Sequence, residues 1–425
     1  MPYSLVTLLG KAVRSVARLR GGGSAFPGLF VERIQPDFVA RTLSDLPKGV
    51  AIVSGTNGKT TTTKMVVELL ESQGLKVFTN RTGSNFSRGV AAALLGEIDN
   101  HGKLSADIAV LELDEAHGAK FAQEIKPRYS LLLNVMRDQL DRFGEIDKTA
   151  QLLSTIAGAT TDTVVLNRED KRIIDATESI AVNKVLFGLS PKLLPQFPTD
   201  DQLYGERVSS TALPSPSPLD VELTTFTKNE ATFTIAGKPV TTQLKLNGIY
   251  NIYNAAAALT FARTIIGDTV DQPSLIARLA RVTPAFGRGE RLVVGGQPLE
   301  LVLVKNPSGF RLGLESFSPE GYATMIAIND NYADGRDMSW LWDVDFASLK
   351  KEPVGMVSGI RAYDMALRLQ YDEVEFANVT PHLTQALRTF ISSYSTKPKR
   401  IYCTYTAMTA LRKELATITE VETIS

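Results

Sequence analysis

The residues best equipped for chemistry stand in one short stretch, Gly55-Thr56-Asn57-Gly58-Lys59-Thr60-Thr61. An apolar β-type run, Val50–Val53, leads into it, and a helical pattern follows from Lys64 to Gln73, stopped by Gly74. Backbone N–H groups in such a loop, at a helix N-terminus, form a cradle for phosphate oxygens. A lysine at that place reaches terminal phosphates and the neighbouring hydroxyl holds Mg2+, which assigns those tasks to Lys59 and Thr60. The spacing is not that of the common P-loop, which has glycine where this chain has Val53. A glycine-bearing turn ahead of an ordinary helix is the plain alternative. A second stretch, Leu111-Glu112-Leu113-Asp114-Glu115, ends an apolar strand, so Glu112 would face the same loop and hold a cation. Asp114 and Glu115 read comfortably as the acids of a helix N-terminus. Thr82-Gly83-Ser84-Asn85 offers Ser84 as a further hydroxyl ligand, although turn chemistry explains much of it. Past Leu131–Leu133, the run from Asn134 to Arg142 places Arg137, Asp138, Asp141 and Arg142 beyond a strand end. That set suits substrate and metal handling, or a salt-bridged surface loop.

These residues need a scaffold, and the pattern supplies one. Between about residues 46 and 170, apolar runs (Val50–Val53, Val77–Thr79, Asp107–Leu113, Ser130–Val135, Thr163–Asn167) alternate with helical patterns (Lys59–Gln73, Arg88–Leu95, Glu115–Glu124, Lys148–Ala157). Such alternation predicts a mostly parallel sheet with helices on both faces, and ligands bind such sheets at the carboxyl ends of the strands. Prolines at 191, 195, 198, 214, 216 and 218 break regular structure, and period-two runs from Asp220, Ala231 and Val240 then predict a small antiparallel insertion over 190–245. Pairs such as Phe226 with Phe233 are expected to hold it. A helix over Asn251–Ile266 follows, and a second α/β unit begins near 296. The expected division is 1–45 as a helical lead-in jointed at Arg20–Ser24, 46–293 as a nucleotide-type domain, and 294–425 as a second α/β domain.

Composition narrows the partners. With 425 residues, two or three domains are expected. Lys plus Arg and Asp plus Glu both total 46, so no global charge points to nucleic acid or an anionic surface. The single cysteine, Cys403, cannot form an internal disulfide or a cysteine-based zinc site, and its apolar-aromatic surroundings predict a buried strand residue. No run approaches the ~18 apolar residues of a membrane span. The segment Ser4–Arg20 puts its basic residues after the apolar ones at helical spacing, which predicts an amphipathic helix packed on the body, with a weak interfacial membrane contact as the alternative.

Taken together, Gly55–Thr61, Asn134–Arg142, Asn247-Gly-Ile-Tyr-Asn251-Ile-Tyr-Asn254-Ala-Ala-Ala-Ala and Gly287-Arg288-Gly-Glu290 resemble, in order and spacing, the central domains of the Mur ligase superfamily. Lys305–Phe310, Ile328–Phe346 and Ser358–Leu369 narrow the resemblance to the MurT family, the ligase-like subunits of lipid II isoglutaminyl synthase. It runs from about residue 45 to the C-terminus. Three departures stand out. Only about 45 residues precede the sheet, where stem-peptide ligases carry a full UDP-sugar domain, so a lipid-linked substrate is implied. Gln139 occupies the position of a family histidine. The insertion lacks the cysteines of the zinc ribbon that relatives often carry, so no zinc is expected.

What the resemblance implies is an ATP- and Mg2+-dependent ligase of peptidoglycan synthesis, cytoplasmic and acting at the inner face of the membrane. It would activate the D-glutamate α-carboxyl of lipid II as an acyl phosphate. Ammonia from a glutamine amidotransferase subunit (GatD-like, in a heterodimer) would then give D-isoglutamine. In that scheme Gly55, Thr56, Asn57, Gly58, Lys59, Thr60 and Thr61 hold the nucleotide phosphates. Thr60, Ser84 and Glu112 hold Mg2+, Asn251 and Asn254 meet the adenine edge, and Arg288 the ribose or phosphates. Asn251 could equally cap its helix. The acidic, Trp-bearing segment Asp334–Asp345 would dock the partner, with Asp337, Asp343 or Asp345, Asp343 preferred, orienting the partner's catalytic histidine. Burial of both tryptophans, Trp340 and Trp342, in a core is the competing reading. Membrane contact would come only through the lipid substrate, and no nucleic acid is involved. Two rivals remain: a folylpolyglutamate synthase-like ligase adding an amino acid and acting alone, and a nucleotide-binding scaffold without catalysis.

Overall fold

The computed structural model describes residues 3–19, 26–80, 86–137, 146–197, 199, 221–227, 230–246, 248–283 and 288–421. Two compact units emerge. The first comprises Met1–Val135, Asp147–Leu246 and Asn251–Val282, the second Met136–Ile146, Asn247–Tyr250 and Thr283–Ser425.

The first unit is built on nine strands: β1 (Val50–Ser54), β2 (Val77–Phe78), β3 (Ile108–Glu112), β4 (Tyr129–Leu132), β5 (Thr163–Asn167), β6 (Asn183–Leu189), β7 (Val221–Phe226), β8 (Glu230–Ile235) and β9 (Lys238–Gln243). They lie in the order β2-β3-β1-β4-β5-β6-β7-β8-β9. All pairings from β2 to β7 are parallel, while β8 and β9 are antiparallel. Every residue of β1, β4 and β5 is buried, as strands covered on both faces must be. The helices are α1 (Tyr3–Leu19), α2 (Phe26–Ile34), α3 (Phe38–Leu43), α4 (Lys59–Ser72), α5 (Ser87–Glu97), α6 (Glu115–Ile125), α7 (Ile146–Ala159), α8 (Lys171–Thr177), α9 (Ile249–Ile266) and α10 (Gln272–Leu279). The chain leaves β1 in both directions, towards β3 on one side and β4 on the other. The crevice above its carboxyl end is therefore the place for a ligand.

Helix α1 packs on the body through Val6 and Gly10. A Cβ at Gly10 would come within 2.6 Å of Val31 and 2.7 Å of Leu95, so only glycine admits this approach. The antiparallel strands extend the main sheet at its edge, continuing from β6 through β7. The expected Phe226–Phe233 pair does not form. Phe233 stands opposite Leu223, whereas Phe226 pairs with Ala231 and packs edge-on against Phe197, 5.8 Å between centroids. The register itself keeps the two phenylalanines apart, and the shift between Leu223 and Thr225 displaces the pairing by a single residue.

In the second unit, β10 (Arg288–Val294), β11 (Gln297–Leu303), β12 (Ala323–Ala327), β13 (Val354–Ser358), β14 (Val379–Thr380) and β15 (Lys399–Cys403) follow the order β10-β11-β15-β12-β13-β14. Only β10 runs antiparallel to its neighbour. It spans the expected boundary at 293/294 and belongs to this sheet. Helices α11 (Pro307–Ser316), α12 (Ala362–Tyr371), α13 (Leu383–Ser393) and α14 (Tyr405–Leu415) complete the unit. Successive strand residues alternate between two cores. Ile326, Val357 and Tyr402 join Phe310, Met365 and Leu369, while Met325, Ala327 and Cys403 join Leu387, Phe390 and Met408. Helices thus cover both faces. Burial pushes the Cys403 thiol far up, which leaves it unreactive.

Candidate active site

The loop after β1 is held by a residue that sequence reasoning assigned no task. Asn134, just past β4, accepts the Thr56 N–H on its carbonyl (3.0 Å) and the Asn57 N–H on its side-chain oxygen (2.8 Å). Its amide nitrogen donates back to the Asn57 carbonyl at 3.0 Å. Two glycines make the turn. Gly55 has φ +130°, and a Cβ there would stand 2.9 Å from the Asn134 nitrogen. Gly58 has φ +88°, with a Cβ position 2.8 Å from the Asn254 amide. Asn254 therefore lies against the loop, as a nucleotide-contacting residue would. Asn251 sits one turn earlier on the same helix. Because α9 begins at Ile249, Asn251 lies inside its first turn and is not its N-cap.

Helix α4 starts at Lys59 with no side-chain cap, so its first-turn N–H groups open into the loop. The Lys59 ammonium is buried. It donates to the carbonyls of Gly55 (2.5 Å) and Thr56 (3.2 Å) and lies 3.6 Å from the Glu115 carboxylate. Glu115 is itself only 2% exposed. Beside this pair, the Thr60 hydroxyl donates to Glu112 at 2.8 Å. Glu112 is fixed at the end of β3 by Asn80, which donates to its carbonyl (2.8 Å) and accepts its N–H (3.0 Å). The hydroxyl of Thr61 is buried without a hydrogen-bond partner among the described residues. An uncapped helix end, a buried lysine and an unsatisfied hydroxyl fit a phosphate chain. Adjacent hydroxyl and carboxylate oxygens fit Mg2+, which takes few protein ligands and completes its shell with water and phosphate.

Behind the loop, Asp170 accepts the Val135 N–H (2.6 Å) and caps α8 through the Ile173 N–H (3.1 Å). Desolvation by burial pushes its carboxyl from 3.8 up to about 6. The Tyr253 hydroxyl donates to Asn167 at 2.5 Å and ties α9 to the end of β5.

The structure thus brings Lys59, Thr60, Glu112 and Asn254 to one place. Ser84, Asp138, Asp141 and Arg142 lie outside the described residues, and Arg288 opens β10 in the second unit. Glu115, Asn80 and Asn134 were missed. Glu115 follows the N-cap Asp114, so its sequence signal was that of any helix start.

In the second unit, the acidic segment divides by role. Asp334 is buried and accepts the Thr406 N–H (2.7 Å) and hydroxyl (2.5 Å), and burial raises its pKa. Hydrogen bonding from the Ser339 side chain, and from the Ser339 N–H that Asp337 accepts at 2.8 Å, holds the Asp337 carboxyl below the usual range. Asp345 accepts the Ala347 N–H at 2.8 Å. Asp343 is exposed at the end of a 3-10 turn, Ser339–Asp343. Its carboxylate engages no group among the described residues. The two tryptophans part company: Trp340 is 4% exposed inside the core, Trp342 49% exposed beside Asp343. Arg368 fixes this turn from α12. It donates to the carbonyls of Leu341 (3.2 Å) and Val344 (2.6 Å), and its guanidinium lies 5.4 Å from the Trp342 ring. Tyr363, Leu367 and Tyr371 are exposed along α12 at four-residue spacing.

A parallel sheet with an uncapped Gly-Lys-Thr helix start, followed by a second α/β unit, is the architecture of a Mur-type ligase. Residues 53–262 match the Mur ligase middle domain family, and residues 303–408 the MurT ligase C-terminal family. The chain is 32% identical to the lipid II isoglutaminyl synthase (glutamine-hydrolyzing) subunit MurT of Streptococcus pneumoniae over 97% of both chains. It is 28% identical to its Staphylococcus aureus counterpart over 87% of each. MurF ligase from Thermotoga maritima in complex with ADP shares the fold, with TM-score 0.68, 17% identity, and coverage of 91% of this chain and 84% of that one. The chain belongs to the MurT family of the Mur ligase superfamily, a family of ATP-dependent ligase subunits.

Proposed function

We propose that this chain amidates the α-carboxyl of D-glutamate at stem-peptide position two of lipid II, giving D-isoglutamine, with ammonia supplied by a glutaminase subunit. The observation that carries the reading is the Thr60–Glu112 contact of 2.8 Å beside the buried Lys59, at the carboxyl ends of β1 and β3. A carboxylate oxygen of the substrate attacks the γ-phosphorus of ATP, forming an acyl phosphate and releasing ADP. Ammonia then attacks the acyl carbon. The C–N bond forms, the C–O bond to phosphate breaks, and inorganic phosphate leaves while the nitrogen sheds a proton. Lys59 balances charge on the β- and γ-phosphates, and the loop from Gly55 to Thr61 orients the chain in line. Thr60, Glu112 and Ser84 would hold Mg2+, which would supply positive charge to the transferring phosphoryl group. Asn251 and Asn254 read the adenine edge and Arg288 the ribose or phosphates. The division of labour follows the sequence: ATP chemistry in 46–293, partner docking in 294–425, with 1–45 as a lead-in.

The partner contacts the surface around Asp343. This carboxylate is uncommitted, whereas Asp334, Asp337 and Asp345 are each bound to a backbone N–H. It is offered to the histidine of the partner's glutaminase site, and exposed Trp342, Tyr363 and Tyr371 supply apolar anchors. The reaction takes place in the cytoplasm at the inner face of the membrane.

The test is Lys59→Ala in the complex with its glutaminase subunit, fed ATP, lipid II and glutamine labelled at the amide nitrogen. Wild type should transfer label into the muropeptide. The variant should assemble normally but lose amidation by roughly a thousandfold, the scale of removing a phosphate-stabilising cation. Near-normal product from the variant refutes the phosphate role. Incorporation of an unlabelled amino acid without the partner would mark an autonomous ligase instead.

A further inference from the structure

Between two buried anchors in the second unit the chain makes a short excursion into solvent. Leu341 and Val344 are each 1% exposed, Trp342 and Asp343 between them face outward, and Phe346 returns to the core. A short helical turn leaves its last carbonyls without partners of their own. Here two arginines from different helices answer them. Arg368 of α12 donates to the carbonyls of Leu341 and Val344, and its guanidinium pairs with Asp372 at 2.5 Å. The carbonyl of Asp343 itself accepts the Arg311 Nε–H at 2.7 Å. Arg311 is delivered by a fixed helix. Asn306 caps α11 by accepting the Gly309 N–H at 2.7 Å, and Phe310 packs on Trp340 and Phe346, with ring centroids 6.4 Å and 5.0 Å apart. Arg311 follows directly and is half-buried. The carbonyls of residues 341, 343 and 344 are therefore all held by guanidinium groups. A planar guanidinium fixes the direction of a carbonyl more closely than a flexible ammonium does. The direction of the Asp343 carbonyl sets its peptide plane, and with it the line along which the carboxylate leaves the turn.

We propose that Arg311 is a positioning residue for glutamine hydrolysis: it holds the Asp343 peptide so that the uncommitted carboxylate points at the histidine of the partner's glutaminase site. This rests on Asp343 serving that histidine. Arg368, buried and paired with Asp372, secures the turn to the core on both sides. Arg311 reaches the one residue between those two points whose direction matters to the partner. Its contribution passes through Asp343 and adds nothing to ATP binding.

The test compares complexes of the glutaminase subunit with wild type, Arg311→Met, Arg311→Lys, Asp343→Asn and Arg311→Met/Asp343→Asn. Glutamine hydrolysis is followed over a range of glutamine concentrations, with assembly read by gel filtration and stability by thermal melts. Methionine keeps the apolar stem and removes the donor. Arg311→Met should lower kcat about fivefold with KM unchanged, well inside the loss of about a hundredfold that a misplacement of ~1 Å can cause. Arg311→Lys, which keeps one donor, should recover part of that loss. Because Arg311 acts through Asp343, the double variant should be no slower than Asp343→Asn alone. Arg388→Met, at an exposed arginine of α13 paired with Glu414, should behave as wild type does. A wild-type kcat for Arg311→Met beside a slow Asp343→Asn overturns the inference and leaves the role of Asp343 standing. A wild-type rate for Asp343→Asn overturns both. Losses that multiply in the double variant, or an Arg311→Met chain that melts far below wild type or fails to assemble, give the arginine another role and overturn the inference as well.

Discussion

Glu115→Gln is the perturbation that reports most directly on the loop. The substitution keeps size and shape and removes one buried negative charge 3.6 Å from the Lys59 ammonium, with side chains 5% and 3% exposed. At that separation the gross attraction is about 4–5 kcal/mol for an effective dielectric of about 20. Breaking a buried pair costs about 3–5 kcal/mol, because the remaining charge stays desolvated. The two carbonyls that accept from Lys59 remain in place, so the lower end, about 3 kcal/mol, is expected. For a domain of this size that corresponds to a fall in Tm of roughly 6–12 °C. ATP with Mg2+ should restore more of the melting temperature in the variant than in wild type, since phosphate supplies the missing anion. Adding Lys59→Met, which removes the orphaned cation, should recover stability. Thermal melts by circular dichroism of wild type, both single variants and the double variant, without and with ATP and Mg2+, give these numbers. An unliganded Glu115→Gln melting within about 2 °C of wild type, or a double variant worse than either single one, would refute the coupling.

Other outcomes follow from the same geometry. Asp343→Asn should lower glutamine hydrolysis in the complex by at least about tenfold, as loss of the charge that orients a catalytic histidine does elsewhere. ATP binding should survive, and Asp337→Asn and Asp345→Asn serve as controls. Wild-type glutaminase rates in all three, with the complex intact, would leave the segment a structural one. Gly58→Ala should weaken ATP binding and cost about 1–2 kcal/mol for its left-handed backbone, plus displacement of the Asn254 amide 2.8 Å away; unchanged calorimetric affinity would count against the tight turn. Asp170 has its pKa raised from 3.8 to about 6 by burial, so the folded state holds its proton more tightly than the unfolded chain does. Stability from this group is therefore full below about pH 4 and is lost as pH rises to about 6, by ~3 kcal/mol. Asp170→Asn should flatten that part of the pH–stability curve, and an unchanged curve would argue against a buried acid.

Much of the architecture follows from local pattern, because strand and helix periods are properties of neighbouring residues. The run Thr163–Asn167 is read at its observed limits. The loop is legible for the same reason: Gly55, Gly58, Lys59 and Thr60 are contiguous, and their chemistry needs only a strand before them and a helix after. Short elements without clear periodicity escaped, among them α8, β6, α10 and β14. The pairing register of β7 and β8 was also hidden: it sets Phe233 opposite Leu223 and Phe226 opposite Ala231. What only the tertiary structure decided is which distant residues share a space. Asn134 clasps a loop 77 residues earlier, and Glu112 meets a hydroxyl 52 residues away. Glu115 is a buried counter-ion, where sequence alone makes it one more acid at a helix start. The same holds for the acidic segment, where four aspartates look alike in sequence. Backbone N–H groups claim Asp334, Asp337 and Asp345, while the 3-10 turn fixed by Arg368 leaves Asp343 in solvent. Sequence specifies the chemical groups, but burial and hydrogen-bond partners, which set what those groups do, arise only when the chain packs.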